Sequence, residues 1–136
     1  MTVVLDASAA LIWLLHEPEP ATRRRVKELV ASGVAIVPGL WFWEVAQALV
    51  MAEQRGRITA EARRLLALDV DRLPVVSTPL RGGVAALTEL AASLGLTAYD
   101  ACYLQLALTH GAGLCSTDSR LIAAARSRGV VCVLDG

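Results

Sequence analysis

The stretch Val3-Val-Leu-Asp-Ala-Ser-Ala-Ala-Leu11 decides the fold, because a short β-branched run changes within it to a helix-forming pattern. The apolar run Val3 to Leu5 predicts a strand that is buried on both faces. A lone carboxylate, Asp6, follows directly, and Ala7 to Leu15 then predict a helix that ends before Glu17-Pro-Glu-Pro20. A strand that passes straight into a helix is typical of a βαβ unit and therefore of a parallel sheet.

The same alternation continues along the chain and predicts an α/β protein with helices on both faces of the sheet. Thr and Pro residues at helix starts and Gly residues at helix ends set the predicted boundaries. We expect a single domain over residues 1–136, without repeats or an interdomain linker. The predicted strands are Val3–Leu5, Val34–Val37, Val75–Val76, Gly113–Ser116 and Val130–Leu134. The predicted helices are Ala7–Leu15, Ala21–Ala31, Leu40–Arg55, Thr59–Asp71, Leu80–Leu94, Ala98–His110 and Ser119–Ser127.

The composition of the chain limits the classes of protein to which it can belong. Apolar residues make up 55% of the 136 residues, and the mean hydropathy is +0.52. Both values are high for a chain this small, so we expect part of the apolar surface to meet another protein, as in a homodimer. Thirteen basic residues balance thirteen acidic ones. No global positive field therefore indicates a nucleic acid, and any RNA contact is expected to be local.

The cysteines and the N-terminus predict a cytoplasmic protein. Cys102, Cys115 and Cys132 are odd in number, lie in apolar runs and lack the close pairing of a zinc site, so we expect free thiols in a reducing compartment. The first residues carry no basic segment and soon reach Asp6, which argues against a signal peptide. The longest uncharged runs are interrupted by Pro and Gly, and we predict no transmembrane helix.

Four carboxylates stand apart from the other charges: Asp6, Glu44 and Asp100 lie in long uncharged stretches, and Asp118 closes the last of these. A carboxylate in apolar surroundings loses hydration unless a cation or hydrogen-bond donors replace it. Asp6 and Asp118 follow predicted strands, where α/β sheets bind ligands. Glu44 and Asp100 lie in the first turns of predicted helices, which favour the ionised form. We expect the four acids to converge on a shared Mg²⁺ or Mn²⁺, which prefer oxygen ligands, for chemistry on a phosphate.

Each acid also has a purely structural interpretation. Asp100 lies three residues after Thr97 and can complete a capping box, and Asp118 can be an ordinary N-cap of the last helix. Asp6 can bind backbone amides at the end of a strand, and Glu44 can lie on a solvated helix face. The metal hypothesis depends on all four acids meeting in one cleft.

Four stretches carry a family resemblance. In their order along the chain and in their spacing, the four stretches resemble those of the PIN-domain ribonucleases, and most closely those of the VapC-type toxins of bacterial and archaeal toxin-antitoxin modules. The resemblance spans essentially the whole chain. It implies a three-layer α/β/α sandwich with a central parallel sheet of about five strands, in the order 3-2-1-4-5, and about seven helices. The stretches are Val3-Val-Leu-Asp-Ala-Ser-Ala-Ala-Leu11, Trp41-Phe-Trp-Glu-Val-Ala46, Leu96-Thr-Ala-Tyr-Asp-Ala101 and Ser116-Thr-Asp-Ser-Arg-Leu121.

The resemblance also implies a function, a metal-dependent endoribonuclease that cleaves RNA, with structured RNA such as tRNA as the family expectation. Bound metal lowers the pKa of a water, and one carboxylate can orient that water as a general base. Asp6 and Asp100 match the family's pattern most securely. The implied Mg²⁺ or Mn²⁺ ligands are Asp6, Glu44, Asp100 and Asp118, with supporting hydroxyls on Ser8 and Ser116.

The partners expected from the resemblance are RNA, a second copy of the chain and a cognate VapB-like antitoxin whose C-terminal segment packs near the active site. Arg120, beside Asp118, is the best single candidate for an RNA phosphate, although a solvated helix face explains any one arginine as well. The consecutive aromatic residues Trp41, Phe42 and Trp43 cover too wide an arc of a helix to face one core. At least one of them is expected to meet a partner.

Three other classes of protein are alternatives to a PIN-domain ribonuclease. A haloacid-dehalogenase-like phosphatase needs a second Asp two residues after the first, where Ser8 stands. A receiver domain needs a lysine late in the chain, and the only lysine is Lys27. The stronger alternative is a non-catalytic PIN scaffold that binds RNA or a protein, against which the presence of all four acids argues.

Overall fold

A parallel sheet forms the centre of the protein in the computed structural model, which describes residues 1–16 and 18–134. Within these residues the sheet has four strands in the order β3-β2-β1-β4. Val3 of β1 pairs with Ala35 of β2 on one side and with Gly113 of β4 on the other, so β1 is central. The strands are β1 (Val3–Leu5), β2 (Ala35–Val37), β3 (Val76–Ser77) and β4 (Gly113–Cys115).

Seven helices are present in the described residues and cover the sheet. By their contacts they form two groups, the first four and the last three along the chain. The strand residues Val3, Val4 and Leu5 are fully buried, as expected for a strand covered on both faces. The predicted α/β fold, with helices covering a parallel sheet, is thereby confirmed. The helices are α1 (Ala7–Leu14), α2 (Pro20–Ala31), α3 (Leu40–Gln54), α4 (Ala60–Asp71), α5 (Gly83–Leu94), α6 (Ala98–His110) and α7 (Ser119–Ser127).

The predicted fifth strand, Val130–Leu134, is not formed, and only a single bridge takes its place. Cys132 forms a parallel bridge with Leu114 of β4. The Leu114 N–H donates to the carbonyl of Val131 at 2.8 Å, and the Val133 N–H donates to the carbonyl of Leu114 at 2.9 Å. The segment therefore lies beside β4, where the predicted order places it. It turns away at Val133 and Leu134, so that the pairing ends after one bridge.

The predicted start of the fifth helix is also wrong. Thr78 and Pro79 do not cap a helix at Leu80, and α5 begins at Gly83. Gly82 and Gly83 have φ angles of 93° and 67°. These left-handed values are accessible to glycine but interrupt a right-handed helix. The N-terminus of α5 is therefore set by the two glycines.

The aromatic triplet divides between core and surface, as the sequence predicted. Trp41 is completely buried, whereas Phe42 is 39% exposed and Trp43 is 77% exposed. The rings of Trp41 and Phe42 make an edge-to-face contact with centroids 5.0 Å apart. This arrangement is favourable for aromatic pairs. Trp43 points away from the core that Trp41 fills.

The cysteines are free thiols, as predicted from their number and spacing. Cys102 and Cys115 are buried, and Cys132 is partly buried. Burial raises the pKa of the Cys115 thiol to about 12, with Asp6 adding to the shift and Arg25 opposing it. This thiol is therefore protonated at neutral pH and unreactive. None of the helices in the described residues is both long and apolar enough to cross a membrane.

The first prediction concerns the core beneath α6. Leu104 is fully buried, whereas Leu65 of α4 is more than half exposed. We expect Leu104→Ala to lower the free energy of unfolding by about 2–5 kcal/mol, because it leaves a cavity, and Leu65→Ala to change it by less than about 0.5 kcal/mol. Urea denaturation of both variants measures the difference. Equal losses in the two variants would contradict the assignment of this core.

Candidate active site

Asp6 lies at the carboxyl end of the central strand β1 and is only 6% exposed. Its backbone N–H donates to the carbonyl of Cys115, at the end of β4, at 2.9 Å. This bond fixes Asp6 where two parallel strands end side by side. Ligands bind at this edge of open α/β sheets. The position predicted for Asp6 from the sequence is therefore confirmed.

Two serine hydroxyls hold the Asp6 carboxylate. Ser8 Oγ and Ser116 Oγ each donate to Asp6 Oδ2 at 2.7 Å. Each hydroxyl oxygen in turn accepts a backbone N–H, Ser8 from Thr117 at 3.2 Å and Ser116 from Asp118 at 3.0 Å. These N–H donors direct the hydroxyl hydrogens toward Asp6. The supporting contacts expected of Ser8 and Ser116 are present, and in the described residues Asp6 Oδ1 receives no hydrogen bond.

Asp118 caps helix α7, as its structural interpretation predicted. Its Oδ1 accepts the backbone N–H groups of Arg120 at 2.9 Å and Leu121 at 3.2 Å. Its charge also raises the pKa of Asp6, so it lies within electrostatic reach of the site. Arg120 is exposed beside it. Asp118 therefore has a structural role as well as a place at the rim of the acid cluster.

Glu44 accepts a hydrogen bond from the hydroxyl of Tyr103. The prediction that Glu44 lies in the first turn of its helix is wrong, because α3 begins at Leu40 and Glu44 is in the second turn. The distance from Tyr103 Oη to Glu44 Oε1 is 2.5 Å, and the tyrosine is fully buried. Sequence reasoning missed Tyr103. The available signal was its position three residues after Asp100, since residues three apart lie on one face of a helix. The bond ties α6 to α3 and excludes the interpretation of Glu44 as a fully solvated residue.

Asp100 lies in the first turn of α6 and is half-buried. Its backbone N–H donates to Thr97 Oγ1 at 3.1 Å, which is one half of the predicted capping box. The other half would need the Asp100 carboxylate to accept a hydrogen bond. Among the described residues, no such bond to this carboxylate is formed. The side chain of Asp100 is therefore available to a ligand.

Burial and neighbouring acids raise the pKa values of Asp6 and Glu44. Burial is the main cause of the raised pKa of Asp6, and the charges of Asp100 and Asp118 add to it against the two serine hydrogen bonds. Burial also raises the pKa of Glu44, with further contributions from Asp6 and Asp100, against the Tyr103 hydrogen bond. The charged forms therefore repel one another. Asp6 therefore lies within electrostatic reach of Glu44, Asp100 and Asp118, and the convergence of all four acids on one metal stays a prediction.

The donor set fits a hydrated divalent cation. Within residues 1–16 and 18–134 no ion pair neutralises these acids, and Asp6 Oδ1 and the Asp100 carboxylate have no hydrogen-bond donors. The same residues contain no group of three or more His, Cys, Asp or Glu side chains close enough to enclose a metal by themselves. Mg²⁺ commonly uses one or two carboxylates and keeps several waters. Shared coordination by all four acids remains a prediction.

Comparison with known proteins identifies the class. The PIN domain family model matches residues 3–127, and the chain belongs to the PIN-domain family. Over 119 residues it is 34% identical to a VapC ribonuclease of Mycobacterium bovis and to ribonuclease VapC9 of Mycobacterium tuberculosis. Each alignment covers 88% of this chain and 87% of the relative. Within the family, the chain is therefore a member of the VapC group.

Solved structures share the fold. PAE2754 from Pyrobaculum aerophilum superposes with a TM-score of 0.75 at 23% identity, over 98% of this chain and 84% of that chain. FitAcB from Neisseria gonorrhoeae superposes with a TM-score of 0.71 at 15% identity, over 96% of both chains. At these identities the likeness supports the fold and nothing further.

The second prediction follows from the raised pKa of Asp6. A folded carboxyl with a raised pKa keeps its proton to higher pH than the unfolded chain does, where its pKa is near the ordinary 3.8. The free energy of unfolding therefore falls as pH rises through this interval and stays lower above it. We expect metal-free Asp6→Asn, which removes this charge, to melt at a higher temperature than the parent at pH 7, with the difference shrinking toward pH 3.5.

Thermal melts in EDTA across this pH range measure the effect. Asp71→Asn, at the exposed C-terminal end of α4, is the matched control for loss of one negative charge. A lower melting temperature for Asp6→Asn at pH 7 would show that the ionised carboxylate stabilises the metal-free fold.

Proposed function

We propose that this protein is a metal-dependent endoribonuclease, the toxin of a toxin-antitoxin module, which hydrolyses phosphodiester bonds of structured RNA such as tRNA in the cytoplasm. Membership of the VapC group supports the ribonuclease class. The observation that carries the proposal is the state of Asp6, a buried carboxylate with one oxygen held by two serines and the other without a donor. Such an arrangement presents an oxygen to a cation.

In this proposal Asp6 and Asp100 hold Mg²⁺ or Mn²⁺, and Glu44 and Asp118 complete the negative site. When bound, the metal supplies a water of lowered pKa and positive charge for the phosphate. Ser8 and Ser116 keep the Asp6 carboxylate in one orientation through their hydrogen bonds.

Glu44 is suited to orient the attacking water as a general base. Tyr103 binds its Oε1 and thereby fixes the side chain, while Oε2 accepts no hydrogen bond in the described residues. A carboxylate with one oxygen fixed and the other available can take the proton of a water. Because water is the nucleophile in this proposal, the reaction needs no histidine or serine nucleophile.

We further propose that a VapB-like antitoxin silences the site and that the protein forms a homodimer. A groove of about 530 Å³ runs between α1 and α3, with Ser8 at the end nearest the acids. Its lining includes the apolar residues Leu11, Ile12 and Met51 and the charged residues Glu19, Arg55 and Arg57. An apolar peptide segment can bind such a groove and carry a basic residue to the acids. The high apolar content of the chain supports both kinds of protein contact.

The third prediction tests the metal without measuring activity. At a Mg²⁺ concentration one hundred times its Kd, binding to the folded state alone adds about 2.7 kcal/mol to the free energy of unfolding. We expect Mg²⁺ or Mn²⁺ to raise the melting temperature of the parent and of Asp71→Asn, and to have a much smaller effect on Asp6→Asn and Asp100→Asn. Equal shifts in all four proteins would place the cation elsewhere.

The fourth prediction concerns cleavage of total cellular RNA by the purified, antitoxin-free protein. We expect specific fragments with Mg²⁺ or Mn²⁺ and none with EDTA. Ser8→Ala and Ser116→Ala should lower the rate by about 10- to 100-fold, as is typical when a ligand loses its support, and Asp6→Asn and Asp100→Asn should lower it further. Asp71→Asn should cleave like the parent.

The outcomes separate this function from its main alternative. Full activity of Asp6→Asn or Asp100→Asn would refute the ligand assignment. A folded protein that binds RNA or a protein partner but cleaves nothing with either metal would instead be a non-catalytic PIN scaffold. A preference for small phosphate monoesters over RNA would favour the phosphatase class.

A further inference from the structure

A cavity of about 420 Å³ lies beside the C-terminal end of α1. Asp6 directly precedes this helix, whereas Trp13 and Leu14, at its other end, line the cavity. Because a helix rises about 1.5 Å per residue, the part of α1 between Asp6 and Trp13 spans about 10 Å. The cavity also shares no described lining residue with the groove between α1 and α3. It is therefore separate from the acid site and from the groove beside that site.

One wall of the cavity is apolar. Trp13 of α1 is partly buried and packs against the core, as do Leu66 of α4 and Leu73, which follows that helix. Leu66 and Leu73 lie two helical turns apart along the chain, which explains why both reach the same cavity. Leu14, also in the lining, is buried. Such a wall suits a large apolar or aromatic group of a ligand.

The rim of the cavity carries charges of both signs. Lys27 of α2, Asp69 of α4 and Arg72, the residue after α4, all line the cavity and are exposed. Within residues 1–16 and 18–134, none of these three side chains forms an ion pair or a hydrogen bond. A ligand can therefore bind between them, with an anionic group at the two cations and a cationic group at Asp69.

The ends of two helices favour the cationic group of such a ligand. α1 ends at Leu14 and α4 ends at Asp71, directly before Arg72, so both C-termini lie at the cavity. The last carbonyl groups of a helix carry partial negative charge, which stabilises a nearby cation. A ligand with an ammonium group beside Asp69 therefore fits this cavity better than a ligand with negative charge alone, such as a nucleotide.

His16 completes the rim in an unfavourable backbone conformation. Its φ of 52° is the only positive value at a residue other than glycine in the described part of the chain. Residues with a side chain adopt such angles at a cost, and the surroundings that enforce them are commonly ligand sites. The Arg23 guanidinium donates a hydrogen bond to His16 Nδ1 at 3.2 Å, so the neutral ring carries its proton on Nε2. His16 can therefore donate to an anionic group in the cavity.

We propose that this cavity binds a free amino acid with a large apolar side chain, such as leucine or phenylalanine. Its carboxylate binds Lys27 and Arg72, and His16 is a further donor to it. Its α-ammonium group binds Asp69, and its side chain packs against Trp13. A peptide end carries only one of these two charged groups and so matches the rim less well. The inference goes beyond the proposed function and does not use the four acids, so it can be tested independently of RNA cleavage.

The experiment titrates the purified protein with L-leucine and L-phenylalanine in a calorimeter, and we expect saturable binding of both. L-phenylalaninol lacks the carboxylate, and N-acetyl-L-phenylalanine lacks the ammonium group. Each should bind about tenfold more weakly or worse than phenylalanine, in line with the loss of a charged hydrogen bond. AMP carries an aromatic ring and negative charge without an ammonium group. Binding of AMP as tight as that of phenylalanine would overturn the amino acid as the ligand.

Variants at the rim have matched controls on the same helix. Asp69→Asn and Arg72→Gln should each weaken binding of phenylalanine by about tenfold or more. Asp71→Asn and Arg64→Gln remove the same charges at exposed positions outside the cavity lining, and both should bind phenylalanine like the parent. Circular dichroism verifies that each variant is folded. Equal affinities of Asp69→Asn and Asp71→Asn would overturn the proposed contact with the ammonium group.

Trp13 provides a local readout of binding. Trp41 and Trp43 do not line the cavity, so a change in tryptophan fluorescence on binding of leucine should come from Trp13. Trp13→Phe keeps an aromatic ring and should bind leucine in the calorimeter without this fluorescence change. A change that persists in Trp13→Phe would place the ligand elsewhere and overturn the proposal.

The amino acid site and the acid site can fail separately. Asp6→Asn should bind phenylalanine like the parent, because the cavity lies at the other end of α1, and loss of binding in this variant would place the ligand at the acids. A parent protein that cleaves RNA but shows no saturable binding of leucine or phenylalanine would overturn the amino acid site alone. Binding of both amino acids without RNA cleavage would support this site and count against the proposed function.

Discussion

The rest of the site depends on how the Asp6 carboxylate is held at the end of β1. Its backbone is tied to β4 through Cys115, and its Oδ2 accepts hydroxyls from both Ser8 of α1 and Ser116 after β4. These bonds join two neighbouring strand ends and the helix that follows one of them. They replace part of the hydration lost on burial, but they do not neutralise the charge. Asp6 is therefore a buried carboxylate with a fixed orientation and no neutralising partner among the described residues, and the other acids add negative charge around it.

The acid cluster lowers the stability of the metal-free fold. The charge of Asp100 contributes to the raised pKa values of Asp6 and Glu44, and no cationic side chain among the described residues pairs with these acids. A fold selected only for stability would gain by replacing one of these acids, since repulsion between like charges in a partly buried site is unfavourable. In the proposed function a divalent cation binds there and neutralises part of the negative charge of the carboxylates and of the RNA phosphate.

Much of this arrangement could be predicted from the sequence, and the failures have physical reasons. The order of strands and helices followed from short apolar runs and from capping residues such as Thr97, whose hydroxyl accepts the backbone N–H of Asp100 as an N-cap. The start of α5 was missed because Gly82 and Gly83 adopt left-handed conformations that propensity does not distinguish from a simple turn. The fifth strand was predicted but is not formed, because an apolar pattern indicates burial but not how many residues pair.

The sequence by itself determined the α/β class, the isolated acids and the fact that Trp41, Phe42 and Trp43 cannot all face one core, because these depend on local periodicity and on the cost of burying charge. Only the tertiary structure decided which groups meet. The bond from Tyr103 to Glu44 joins residues 59 positions apart, and that from Ser116 to Asp6 joins residues 110 positions apart. Such contacts arise from the parallel pairing of β1 with β4 and the packing of helices on it, which no local pattern specifies.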